Sequence, residues 1–131
     1  EDGRLGWLDW LHFAETIGQH IANLTQSHLM LRDPSMRSAT VMKLETARLG
    51  RTLRLVEQTV EGQDWLMAGG FSGVDCAVGW SVWTARRFVR LSPALEGYID
   101  RCAERPAFRA ALPGAGEPVL YDRDFYELPD A

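Results

Sequence analysis

Three histidines stand eight residues apart, His12, His20 and His28. Eight residues of straight helix rotate a side chain about 80° beyond two full turns, so the three fan around the cylinder and cannot hold one metal ion. His12, Glu15 and Gln19 are spaced by three and four, which places them on one helical face. An imidazole beside a carboxylate and an amide is a set that can bind a polar group or lend a proton. The same set also serves as a polar packing face, and both readings stand. The densest basic cluster is Arg86, Arg87 and Arg90, which reads as the solvated end of an amphipathic helix. Cys76 and Cys102 are the only cysteines. They show no metal-ligand spacing and no disulfide framework, and their apolar-periodic positions predict two buried free thiols. That usage points to a reducing, cytoplasmic setting. No catalytic residue is assigned within the chain.

The elements that carry these residues read as helices throughout. Over residues 5–31, Trp7, Leu8, Leu11, Ala14, Ile17, Ile21, Leu24 and His28 recur at helical spacing. Asp33-Pro34 marks the next start, with the aspartate as cap and proline in the first turn. A second helix is predicted over 34–61. Met42, Leu49, Leu53, Val56 and Val60 form its stripe, Arg37, Lys43, Arg48 and Arg51 face solvent, and Gly62 is a left-handed stop. The connector 63–71 is apolar for a loop and should lie over the core. Ser72-Gly73-Val74-Asp75 has the form of a capping box, the Ser72 hydroxyl accepting from the Asp75 N–H and the Asp75 carboxylate from the Ser72 N–H. Phe71 and Cys76 are placed to staple it. Loss of the Asp75 cap is worth about 1–2 kcal/mol on this reading.

The stretch 76–89 is apolar nearly all round, which assigns it to the centre of a bundle, with Trp80 and Trp83 as core. Ser92-Pro93 opens a fourth helix with Leu95, Tyr98, Ile99 and Cys102 inward. Pro106 opens a short fifth, closed by Pro113-Gly114. Residues 115–131 are expected as an extended tail laid on the body. The expected class is all-α, a compact bundle of about five helices in one domain spanning 1–131.

Composition agrees. The 131 residues carry a net charge of -4 and are 46% hydrophobic, an ordinary globular balance. The acidic balance argues against a nucleic-acid partner. No apolar run is long enough for a membrane span.

Three segments, in order, resemble one family. Trp10-Leu11-His12-Phe13-Ala14-Glu15 is similar to the W-L-H-[YF]-A-E run that opens the C-terminal domain of many bacterial glutathione transferases. Phe71-Ser72-Gly73-Val74-Asp75 resembles that family's F-[ST]-x-x-D box. Residues 105–112, from Arg105-Pro106-Ala107-Phe108 to Leu112, are close to its R-P-A-[YF]-x-x-A-L run. The resemblance covers about residues 5–112. It implies a glutathione transferase C-terminal domain-like fold and a parent protein that is a cytosolic, homodimeric detoxification enzyme. Such an enzyme joins glutathione thiolate to small hydrophobic electrophiles.

The resemblance also implies what these residues lack. In the family a thioredoxin-like N-terminal domain holds glutathione, the co-substrate, and activates its thiol. Nothing in the sequence resembles that domain, so residues 1–4 are expected to be a linker remnant and the segment not to be catalytic by itself, with no cofactor of its own. The opening helix borders the family's electrophile pocket, which makes His12, Glu15 and Gln19 a candidate pocket face. Packing of that face against the N-terminal domain or a second subunit is the other expectation. Related dehalogenation or ether cleavage fits the same motifs. The rival reading is a non-catalytic assembly module, since similar domains occur in elongation factor subunits and aminoacyl-tRNA synthetases.

Overall fold

The computed structural model describes residues 2–126. Among them there is no strand, and five α-helices form a bundle: α1 (Asp2–Thr25), α2 (Ala39–Glu61), α3 (Gly73–Ala85), α4 (Pro93–Ala103) and α5 (Pro106–Ala111). Asp2, Gly3 and Arg4, expected as a linker remnant, are the first turn of α1; Glu1 and residues 127–131 of the expected tail lie outside the described residues. No helix among those described is long and apolar enough to cross a membrane.

The apolar stripes pack as their periods require. Ile17, Ile21 and Leu24 of α1 meet Leu49, Leu53 and Val56 of α2 and Val74, Val78 and Val82 of α3 in one buried cluster. Ser38 caps α2 and Ser92 caps α4, each hydroxyl accepting an N–H three residues on. The close approach of α3 and α4 rests on Gly79, where a Cβ would stand 2.8 Å from the Cys102 sulfur.

Several expected details are corrected. The helix predicted over 34–61 is broken. Pro34–Met36 is a 3₁₀ turn capped by Asp33, and α2 starts only at Ala39. Arg37, expected in solvent, is half-buried, its guanidinium donating to the Leu31 carbonyl at 2.8 Å. Gly62 is not left-handed; its φ is -101°. The chain leaves α2 through ordinary helical space, and the Gln63 amide then donates to the carbonyls of Trp65 and Leu66.

The third helix stops at Ala85, so the three arginines stand on the turn after it and beyond, not on its last turn. Cys76 and Trp80 are exposed, against expectation, whereas Cys102 is buried. The reason lies in α3 itself. It is apolar around its whole circumference, but α1 and α4 cover only the sides bearing Val74, Val78, Gly79 and Val82. Positions 76 and 80, four apart, share the side left over.

Alpha-1 does not end cleanly either. Gln26–Met30 widens into a π turn closed by Leu31 N–H donating to the Gln26 carbonyl at 2.9 Å. The turn carries His28 inward, where the tail covers it. Residues 115–126 cross the body without regular structure, and Phe125 is buried there. Its ring stacks on Phe88, with centroids 5.4 Å apart, and lies 5.3 Å from that of His28. The Tyr126 hydroxyl donates to the Arg86 carbonyl, and Tyr121 bonds Thr25 through their hydroxyls.

Candidate functional site

The face read from the first helix is present on α1 but is open. His12, Glu15 and Gln19 are all exposed, and the Gln19 amide donates along the helix to Asn23 at 3.2 Å. No hydrogen bond joins the three to one another among the described residues. The flanking motif residues turn inward. Ala14 is buried, and Trp10 packs edge-on against Phe13 at 5.5 Å. The motif thus splits into a buried side that holds α1 in the bundle and an outward polar side.

One turn further along, α1 carries a second polar group, and this one is organised. Glu45 of α2 is buried on the apolar stripe. Its Oε2 meets His20 Nδ1 at 3.0 Å and accepts from Asn23 at 3.1 Å; its Oε1 accepts from Arg48 at 2.6 Å. Burial raises the cost of the charge, but the bonds from His20, Asn23 and Arg48 outweigh it and hold the carboxyl at about 2. Glu45 is spaced by three and four from Met42 and Leu49, so the period of the stripe itself turns it inward. Because its folded pKa lies below the ordinary 4.5, the stabilisation is complete above pH 4.5 and is lost as pH falls toward 2. Glu45→Gln is therefore expected to lower the urea midpoint at neutral pH, and the gap to the parent is expected to close on acidification through that window. A gap independent of pH would refute the ionised cluster.

The expected capping box stands at the start of α3. The Asp75 carboxylate accepts the Ser72 N–H at 3.0 Å. The reciprocal arm is in place as well, the Ser72 side chain facing the Asp75 N–H as expected, although its buried Oγ stands outside strict hydrogen-bond geometry and has no other partner among the described residues. The same N–H also donates to the Ser72 carbonyl at 3.0 Å. Asp75 does more than cap. It is 1% exposed, and its Oδ1 also accepts from the Leu66 N–H at 3.1 Å and the Tyr98 hydroxyl at 2.9 Å. One carboxylate thus ties the connector, α3 and α4 together. Burial, with the Asp75 charge beside it, pushes the Tyr98 hydroxyl far above its ordinary pKa, so it stays a donor.

The clefts lie away from the α1 face, and none of those described is lined by His12, Glu15 or Gln19. One, of about 550 Å³, is walled by Trp83, Arg86, Arg90, Glu96, Asp100 and Tyr126. The arginines there are not simply solvated. Arg86 lies 3.7 Å over the Trp83 ring, Arg87 pairs with Asp124 at 3.0 Å, and Arg90 sits 5.0 Å over Tyr126. A second, largely apolar cleft lies between α3, α4 and α5. Among the described residues no cluster of three or more His, Cys, Asp or Glu side chains could hold a metal ion. The chain matches no protein-family model, no curated protein and no solved structure.

Proposed function

We propose that this chain is the helical, electrophile-side half of a glutathione transferase-like enzyme. In this reading it belongs to a longer, dimeric, cytoplasmic protein whose thioredoxin-like domain binds glutathione and lowers the thiol pKa. The helical half contributes a surface that receives a hydrophobic electrophile. His12, Glu15 and Gln19 face that electrophile or the thiol-bearing domain.

The observation that supports this most is the role of the three resembling segments. Trp10 and Phe13 fix α1 while leaving His12 and Glu15 outward. Asp75 closes the start of a central helix. The Arg105 guanidinium lies 3.5 Å over the Phe71 ring, so the second and third segments touch. Residues scattered over the sequence thus cooperate structurally, as parts of one domain signature should. The outward polar side of α1 is equally what an assembly module would present, and that reading stays as the alternative.

Kinetics on the complete gene product separate the two. His12→Ala and Glu15→Gln are expected to raise KM for the electrophile severalfold and to leave KM for glutathione unchanged, because these side chains meet only the second substrate. If both KM values stay at the parent's in both variants, the α1 face is not the pocket wall. A gene product whose upstream portion is a synthetase or elongation-factor body favours the assembly module.

A further inference from the structure

The geometry points to a binding site for a small aromatic carboxylate in the cleft between α3, α4 and α5, separate from the α1 face. The cleft has a volume of about 350 Å³. That falls at the small end of the range, roughly 300–1,000 Å³, that receives compact organic ligands. Its walls are Phe71, Trp80, Phe108 and Ala111, with the Cys76 thiol between them. Trp80 is 44% exposed although it sits on the most apolar helix of the bundle. Its ring leans on Phe108 at 5.8 Å and leaves the remaining face open. Flat aromatic walls of this kind accept a ring by stacking or edge contact.

The charge at the cleft decides the ligand's polar end. Asp75 lies on the buried side, but its oxygens are committed to Ser72, Leu66 and Tyr98. The charge still available is Arg105, exposed on the outer rim. Its guanidinium is parked over Phe71, and among the described residues it meets no carboxylate and no hydrogen-bond acceptor. Stacking leaves the in-plane N–H fork free, and a fork of that shape pairs with a carboxylate by two parallel bonds. A ring inward against Trp80 and a carboxylate outward at Arg105 satisfies both halves of the cleft. A cationic ligand would meet Arg105 as a like charge, and a purely apolar one would leave the fork unused.

The native thiols supply a local readout. Cys76 is exposed within the cleft, whereas Cys102 is buried, and that burial pushes its thiol up to about 11. Iodoacetamide therefore labels Cys76 first, and a ligand in the cleft slows that labelling. With 2-naphthoate as probe, saturable protection of Cys76 is expected in this chain alone. Ala111→Trp, which fills the cleft from an exposed position, should abolish it; Ala107→Phe serves if the first variant melts early. Arg105→Gln is expected to weaken naphthoate by about tenfold while neutral 2-naphthamide binds as before. The site is overturned by unprotected Cys76 at millimolar naphthoate, or by equal protection in a folded cleft-filled variant. Equal affinity of Arg105→Gln for naphthoate overturns the carboxylate assignment. None of these readings depends on glutathione conjugation, so failure of the transferase proposal would leave them intact.

Discussion

Asp75→Ala is expected to destabilise the chain by about 4 kcal/mol, well beyond the ~1–2 kcal/mol of a lost helix cap. The difference comes from the number of donors the carboxylate serves. Removing it orphans the Leu66 N–H and the Tyr98 hydroxyl in buried surroundings, as well as the Ser72 N–H. Each buried orphan costs roughly 1–3 kcal/mol, since water cannot replace the lost acceptor. Tyr98→Phe removes one donor and is expected to cost about 1 kcal/mol alone. In that background Asp75→Ala should cost less, because one orphan is already gone. Urea unfolding of the parent, both single variants and the double variant measures this coupling directly. Strict additivity, or a cost near 1 kcal/mol for Asp75→Ala, would reduce Asp75 to an ordinary cap.

Phe125→Ala carries the second large effect, about 3 kcal/mol at neutral pH, from the low end of phenylalanine truncations. Phe125 covers Phe88 and His28, and its N–H donates to the Arg87 carbonyl at 2.6 Å. The variant should therefore loosen residues 115–126 from the body. His28 adds a pH signature to the loss. Its Nε2 is buried with no partner among the described residues, and burial first, then Arg37 and Arg123, lower its pKa below 6.5. The unfolded chain then takes up the proton before the folded one does. Stability is full above pH 6.5 and declines as pH falls below it. Without Phe125, water reaches the imidazole and the decline should flatten. Unfolding free energies on both sides of pH 6.5 check it; an unchanged slope in Phe125→Ala would show that the tail does not shield His28.

Much of this arrangement could be read from single residues and their spacing. The stripe from Met42 to Val60 was legible because a 3.6-residue period has one physical outcome in a compact chain. The arm from Asp75 to the Ser72 N–H was legible for the same local reason. What escaped depends on partners distant in sequence. Tyr98 is 23 residues from Asp75, and nothing local announces that its hydroxyl ends on that carboxylate. Glu45 keeps the spacing of the stripe, but its partners His20 and Asn23 lie on another helix, so nothing local announces what its carboxylate meets. The exposure of Cys76 and Trp80 was hidden by the uniform apolarity of α3, which gives no clue to the side left uncovered. For the candidate face, spacing placed His12, Glu15 and Gln19 together correctly on α1. It carried no information about a cleft, since a cleft is made by several elements at once.

The transferase reading itself turns on glutathione chemistry, and the rate of thioether formation tests it most directly. The complete gene product and this 131-residue segment would be compared with glutathione and a nitro-activated aryl halide, each against the uncatalysed rate. The account predicts turnover by the complete protein and only the uncatalysed rate with the segment. A complete gene product with no rate above background would contradict it, and so would conjugation by the segment alone.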